Sequence, residues 1–442
     1  MNTKLNKHIS SFDVIIYGFA GTILLGALLL MCPFSSKTGE ITPFFDALFT
    51  STSAVCVTGL VVLDTATYWS MFGQFIILLL IQIGGLGIVT VAVATAMISG
   101  KKIGLMQRSI MQESISAPKV GGIIRLTGFI LKITFCIEIL GAICMLPVLW
   151  KDFGVRGIWM SIFHSVSAFC NAGFDLMGTR GVFSSLTSYS GNSVINIIIM
   201  VLIIIGGIGF LVWDDIRTNK FRWNKYCMQT KVVLTTTFIL ILLPAAYFYL
   251  CEFGAFSGKE RILNSLFQAI TPRTAGFNTV DMGRLSDFGL IITIMLMLIG
   301  GSPGSTAGGM KTTTVAVLVF SAVSVFRRKD NIECFGRRVS DSTLKNASAI
   351  LIMYLFLFIA GGIIISGIEG LPLMTCLFET ASAIGTVGLS LGITPTLGVI
   401  SRLILIILMF LGRVGGLTII FAAVSPARNS ISNKPLEKIT VG

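Results

Sequence analysis

Residues 158–174 read IWMSIFHSVSAFCNAGF, and three other stretches repeat the pattern: FFDALFTSTSAVCVTGL at 44–60, ILNSLFQAITPRTAGF at 262–277 and LMTCLFETASAIGTVGL at 373–389. Phe49, Phe163, Phe267 and Phe378 form one column of this alignment, and Gly59, Gly173, Gly276 and Gly388 form another, each glycine followed by Leu or Phe. The third copy is one residue shorter between the two columns. The glycines lie 114, 103 and 112 positions apart, so the period is about a quarter of the 442-residue chain. A period on this scale marks a repeat architecture before any local motif is read.

Apolar runs flank every copy. They start near Val14, Gln74, Leu126, Ser193, Val232, Phe288, Ala347 and Ile400, and each is long enough, at about 20 residues, to cross a roughly 30 Å hydrocarbon layer. With 54% hydrophobic and 12% charged residues, the chain belongs in a bilayer. The first run, from Val14 to Cys32, is too long for a signal-peptide core and ends without a small-residue cleavage site, so it reads as a retained helix. Eight spans follow, two to a quarter, with a short re-entrant segment between each pair. The quarters fall at 1–100, 101–220, 221–330 and 331–425, leaving a tail over 426–442.

An alternating topology places 21 of the 33 Lys and Arg residues on the side of the termini and nine on the other, with Lys132, Lys311 and Arg413 inside spans. The clusters at Lys101, Lys102, Arg108, Lys119 and Arg125, at Arg217 to Lys231, and at Arg327 to Arg338 all fall on the terminal side. The positive-inside rule makes that side cytoplasmic and both termini with it. This segregation accounts for the +13 net charge without nucleic acid as a partner. Nine scattered cysteines with no C-x-x-C pair argue against a disulfide framework and a zinc site.

A segment of 10 to 14 apolar residues cannot cross, and irregular backbone after it survives at membrane depth only when buried in protein or lining a water-filled path. A short helix ending mid-membrane points its negative dipole end inward and attracts a cation. The extended residues after it can offer carbonyls in place of a hydration shell, with glycine permitting the backbone angles this needs. Four copies close a ring. A single glycine-bearing segment would read as helix packing; four in register do not.

With these segments aligned, nearly the whole chain resembles the membrane subunit of the Trk/Ktr/HKT superfamily of potassium transporters, most closely the bacterial Ktr type. The resemblance rests on Val57-Thr58-Gly59, Asn171-Ala172-Gly173, Thr274-Ala275-Gly276 and Thr386-Val387-Gly388. It implies an all-α integral membrane protein of four M1–pore-loop–M2 repeats, eight transmembrane helices and four re-entrant helices around a pseudo-tetrameric pore. Those twelve residues would form the selectivity filter, with potassium on their backbone carbonyls. Some relatives carry serine in place of the first glycine and pass sodium better, so Gly59 implies preference for potassium. The resemblance also implies a homodimer in the plasma membrane on a cytosolic nucleotide-binding regulatory ring, with sodium stimulation in some members.

Residues 300–311, Gly300-Gly301-Ser302-Pro303-Gly304-Ser305-Thr306-Ala307-Gly308-Gly309-Met310-Lys311, interrupt the sixth span. They miss a phosphate-binding loop because Met310 intervenes before Lys311 and no strand precedes them. Such a break at membrane depth should line the conduction path, and the resemblance implies a gate just below the filter; the alternative is an inert kink. Arg413 in the last span must face polar surroundings. The resemblance implies a positive barrier under the filter; the alternative is an ion pair with a carboxylate. Gly84-Gly85-Leu86-Gly87, Gly206-Gly207-Ile208-Gly209 and Gly415-Gly416 read as close helix packing. Thr50, His164, Gln268 and Glu379, one aligned column, are expected to satisfy hydrogen bonds behind the filter, and Glu138 to face a protein surface.

With only His8 and His164 and no G-x-S-x-G or H-E-x-x-H, no catalytic site or covalent cofactor is expected. Repeats running in one direction favour a channel-like path over an inverted-repeat transporter. A channel-like subunit of an ATP-driven potassium pump and a non-transporting scaffold are the competing readings.

Overall fold

The computed structural model describes residues 11–99, 104–115, 122–416 and 418. The 426–442 tail, both termini and Lys101, Lys102 and Lys119 lie outside these residues.

Uninterrupted helical runs of apolar residues give four long helices, Phe12–Met31, Ile123–Phe153, Met228–Glu252 and Asp341–Glu369. At 1.5 Å per residue each reaches about 30 Å or more, enough to cross the hydrocarbon layer. Leu25, Leu28, Ile139, Leu243, Phe356 and Ile363 on them are all more than half exposed. Apolar surface on this scale is matched to lipid tails rather than water. The chain is a helical membrane protein.

These four are the first, third, fifth and seventh of the eight runs read from the sequence. The other four are all broken, which corrects the expectation of a single interruption in the sixth. Met71–Leu86 meets Ile88–Met97 at 96°, and Ser193–Ile208 meets Phe210–Asn219 at 92°. Asp287–Leu298 gives way to irregular backbone before Thr312–Phe326, and Val399–Val414 stops at Gly415. Gly87, Gly209 and Gly415 share one conformation, with φ of 85°, 102° and 89° and ψ of 133°, 139° and 134°. An L side chain is strained there, so these glycines set the bends. They are bend points rather than the helix-packing contacts their spacing implied, although Gly209 also sits close against the loop, a methyl on it lying 2.7 Å from the Pro303 carbonyl oxygen. Gly84, Gly206 and Gly412 do pack: a methyl on each would collide with the carbonyl oxygen of Val55, Phe169 and Ile384 respectively.

Between each long helix and its broken partner sits a short one, Phe44–Val55, Arg156–Phe169, Gly258–Ile270 and Leu373–Ile384, of 12, 14, 13 and 12 residues. The phenylalanine column, Phe49, Phe163, Phe267 and Phe378, one residue on each of these helices, is fully buried. Three of the helices that follow start on polar caps: Ser70 accepts from the Gly73 N–H, Asn192 from those of Val194 and Ile195, and Ser286 from that of Gly289. Such caps contribute about 1 kcal/mol each.

Polar contacts stitch the quarters together. Trp159 Nε1 donates to Gln74 Oε1 at 2.9 Å, and Ser190 Oγ to Glu260 Oε1 at 2.6 Å. Between the last quarter and the first, Arg402 pairs with Asp46 at 2.6 Å, both side chains largely shielded. Sequence positions 356 residues apart are thereby joined.

Candidate functional site

After each short helix the chain turns through a residue in the left-handed region: Val57, Asn171, Thr274 and Thr386, with φ of 57°, 59°, 67° and 50°. Two residues on, Gly59, Gly173, Gly276 and Gly388 have φ of 91°, 69°, 80° and 94°. Three of the four leading residues are β-branched, for which this region costs on the order of 1–3 kcal/mol each. Strain repeated at four equivalent positions is held there by its surroundings.

The glycines form a closed ring. A methyl added to Gly59 would strike the Ala172 carbonyl oxygen; one on Gly173 would lie 2.7 Å from that of Ala275. One on Gly276 would strike the Val387 oxygen, and one on Gly388 the Thr58 oxygen. Each glycine also faces the next glycine's Cα, in the order 59, 173, 276, 388 and back to 59. The twelve residues expected from the sequence are therefore together: four glycines interleaved with the carbonyls of Thr58, Ala172, Ala275 and Val387.

Cavities lie against both the ring and the loop. One of 210 Å³ is lined by all four ring glycines together with Asp64, Asp175 and Asp281. The other, of 260 Å³, is lined by Gly85, Gly87, Gly304, Ala307, Lys311 and Arg413 among others. The first side is acidic and the second basic. The three aspartates were not singled out from the sequence, because no local motif distinguishes them from loop carboxylates.

The irregular segment at 300–311 lies between the ring and the broken helix ends. Ser302 N–H donates to the Gly207 carbonyl at 2.9 Å, Thr306 N–H to Gly206 at 3.3 Å, and Gly309 N–H to Gly412 at 3.2 Å. These carbonyls belong to the last turns of helices, which have no partners within their own helix. Phe210 N–H, opening the perpendicular helix after the Gly209 bend, donates to Gly304 O at 2.8 Å. Thr306 Oγ1 donates to Phe169 O at 3.0 Å, and a methyl on Gly308 would strike the Thr386 hydroxyl. Gly300 and Gly301 begin the segment; Pro303, Ser305 and Ala307 line its turns. Lys311 Nζ folds back onto the carbonyls of Ala307 and Gly308 at 2.8 and 3.4 Å.

Arg413 completes the arrangement. Its guanidinium donates to the carbonyls of Thr306, Gly84 and Gly85. The last quarter is thus tied to the loop of the third and the helix end of the first. Among the described residues its hydrogen bonds all go to carbonyls, so the carboxylate pair considered from the sequence is not formed. A guanidinium suits the negative end of a helix dipole, and its planar fork reaches three oxygens.

The column behind the ring divides. His164 Nε2 accepts from the Leu176 N–H at 3.3 Å, and Glu379 Oε1 from the Leu391 N–H at 3.1 Å, in each case three residues past the ring glycine. Thr50 bonds only within its own helix, to Asp46 O, while Gln268 Nε2 reaches Thr293 Oγ1 at 3.4 Å. Glu138 is buried against Gln82 Nε2 at 3.3 Å, whereas Lys132 is exposed.

The family model for the TrkH cation transport proteins matches residues 11–432. The chain is 40% identical over 456 residues to the potassium/sodium uptake protein NtpJ of Enterococcus hirae, covering 100% of this chain and 99% of that protein. It is 39% identical over 426 residues to the Ktr system potassium uptake protein B of Bacillus subtilis, covering 95% and 94%. The crystal structure of the potassium transporter TrkH from Vibrio parahaemolyticus matches with a TM-score of 0.73 over 96% of this chain and 87% of that one, a likeness of fold at 19% identity. The site just described is therefore set in a known membrane scaffold, and the chain belongs to the TrkH/Ktr family of cation transport proteins.

Proposed function

We propose that the chain takes up potassium through the glycine ring, driven by membrane potential. The closed ring of four glycines and four carbonyls carries this reading. It supplies oxygens for a dehydrated monovalent cation at the ends of four short helices whose dipoles favour positive charge. The potential contributes about 2.3 kcal/mol per charge per 100 mV, enough for a roughly fifty-fold gradient without ATP. The likeness to proteins named for potassium and potassium/sodium uptake supports the choice of ion.

In this reading the four quarters, 1–100, 101–220, 221–330 and 331–425, form a pseudo-tetrameric pore. The acidic cavity is the outer mouth, where Asp64, Asp175 and Asp281 concentrate cations. Residues 300–311 are the gate, latched to a broken helix end by Arg413 and braced from within by Lys311. The protein works as a homodimer in a bacterial plasma membrane, both termini cytoplasmic, under a cytosolic nucleotide-binding regulatory ring; sodium acts as a stimulant. Names of relatives as parts of a Ktr system support a multi-component assembly.

The test is growth on low potassium of cells lacking their own uptake systems, with the chain and a Ktr-type cytosolic partner co-expressed. Restored growth is expected; a membrane-inserted chain that fails to restore it contradicts the proposal.

A further inference from the structure

The four short helices carry hydroxyls in two aligned columns that the transport reading does not use. Ser53, Ser167, Thr271 and Ser382 occupy one; Ser51, Ser165 and Thr380 occupy the other, two residues earlier, with Ala269 in the third helix. Residues two apart on a helix project about 200° apart, to opposite sides. The structure uses them accordingly. Ser51 Oγ donates outward to Ile23 O at 2.7 Å, Ser165 Oγ to Glu138 O at 2.6 Å and Thr380 Oγ1 to Phe358 O at 3.2 Å, all on the adjacent long helices.

The other column points to the ring. Ser53 Oγ accepts from the Gly59 N–H at 3.1 Å, and Ser382 Oγ from the Gly388 N–H at 3.0 Å. Ser167 Oγ donates to Phe174 O at 2.7 Å, and Thr271 Oγ1 to Phe277 O at 2.5 Å. The backbone carbonyl of the same residue meanwhile accepts from the middle ring residue: Thr58, Ala172, Ala275 and Val387 donate to Ser53, Ser167, Thr271 and Ser382 at 2.8, 2.7, 3.0 and 2.8 Å. All four hydroxyl residues are fully buried. One residue per quarter therefore holds its ring strand at two points.

We infer that Ser53, Ser167, Thr271 and Ser382 are positioning residues that set ion selectivity by fixing the ring carbonyls. The inference rests on the transport reading above. The strands need such a hold because each is strained at its leading residue, and a strand released from one anchor relaxes toward ordinary backbone angles. The ring then loses the fixed spacing that favours potassium over the smaller sodium. The clasps come in two kinds. In the first and last quarters, where Leu60 and Leu389 follow the glycine, the hydroxyl takes the glycine N–H. In the middle quarters, where Phe174 and Phe277 follow, it holds the carbonyl one residue on. Like clasps sit in adjacent quarters of the ring, so its support is not four-fold.

The experiment measures the potassium-to-sodium permeability ratio of the full chain in liposomes, from diffusion potentials under opposing gradients of the two ions. Ser53→Ala, Ser167→Ala, Thr271→Val and Ser382→Ala should each lower the ratio roughly fivefold, the equivalent of one neutral hydrogen bond. Thr271→Ser, which keeps the hydroxyl, should retain it. Ser51→Ala, whose lost bond faces away from the ring, should leave the ratio unchanged even where it lowers thermal stability. Where an alanine variant fails to fold, cysteine at the same position, a weaker hydrogen-bonding group of similar size, should give an intermediate ratio. Folded ring-facing variants with the wild-type ratio, or Ser51→Ala matching them in effect, would overturn the inference. A wild-type chain without potassium preference would instead sink the transport reading beneath it.

Discussion

The third quarter departs most from the other three just past the helix that follows the ring. In the first, second and fourth, the helix after the ring ends at Gly87, Gly209 or Gly415, all in one backbone conformation. In the third, Gly300 and Gly301 open a long irregular excursion that returns at Thr312. The ring side of the molecule is nearly four-fold, and the loop side is not. Four similar strands suit an ion that must be surrounded evenly; one exceptional segment, bonded to the helix ends of its neighbours, suits an element that moves as a unit. Arg413 marks the same asymmetry, standing where the other quarters have Gly85, Gly207 and Gly301.

The sharpest way to break this comparison is at the glycines where all quarters agree. Gly206→Val and Gly412→Val drive a side chain into the carbonyl oxygens of Phe169 and Ile384. Such overpacking should cost roughly 3 kcal/mol or more and abolish monodisperse protein in size-exclusion chromatography. Gly21→Val, with nothing within 4 Å of its added carbon, should leave the profile intact.

The next largest effect lies in the third quarter alone. Deleting residues 302–308 should raise potassium flux about tenfold, or 1.4 kcal/mol of barrier, in a rubidium-uptake assay. Unchanged flux in folded protein would reduce the excursion to an inert kink. Arg413→Ala should raise flux by less, because the loop keeps its own bonds to Gly206, Gly207 and Gly412. Arg413→Lys should fall between, since an ammonium lacks the planar fork that reaches three carbonyls. The smallest effect belongs to the bends: Gly415→Ala, forced to a φ of 89° but with only the Thr418 hydroxyl 3.9 Å from its added carbon, should lower the melting temperature by roughly a few degrees with no change in selectivity.

The repeat and the ring were legible in the sequence because the period survives as aligned phenylalanines and glycines, and because five glycines and a proline in an apolar run cannot continue a helix. The bends at Gly87 and Gly209 were not. Glycine inside an apolar run is common in membrane helices, and the helix ends there only because the Gly300–Lys311 segment and Arg413 supply partners for the freed carbonyls. The loop's partners are backbone N–H groups far away in sequence with no side-chain signature, and nothing in the sequence ties the Arg413 guanidinium to the Gly84 and Gly85 carbonyls. The hydroxyl column at Ser53, Ser167, Thr271 and Ser382 stood in the aligned segments all along. Serine and threonine are frequent in membrane helices, and only the bonds to the ring strands separate this column from the outward one two residues earlier.

The central claim is that four glycines set one site. It is tested most directly by the potassium-to-sodium permeability ratio of Gly59→Ser, Gly173→Ser, Gly276→Ser and Gly388→Ser, each reconstituted singly. Every added side chain meets a neighbouring strand's carbonyl, so all four should lower the ratio. A ratio that stays at the wild-type value in folded Gly173→Ser and Gly276→Ser would contradict a shared ring.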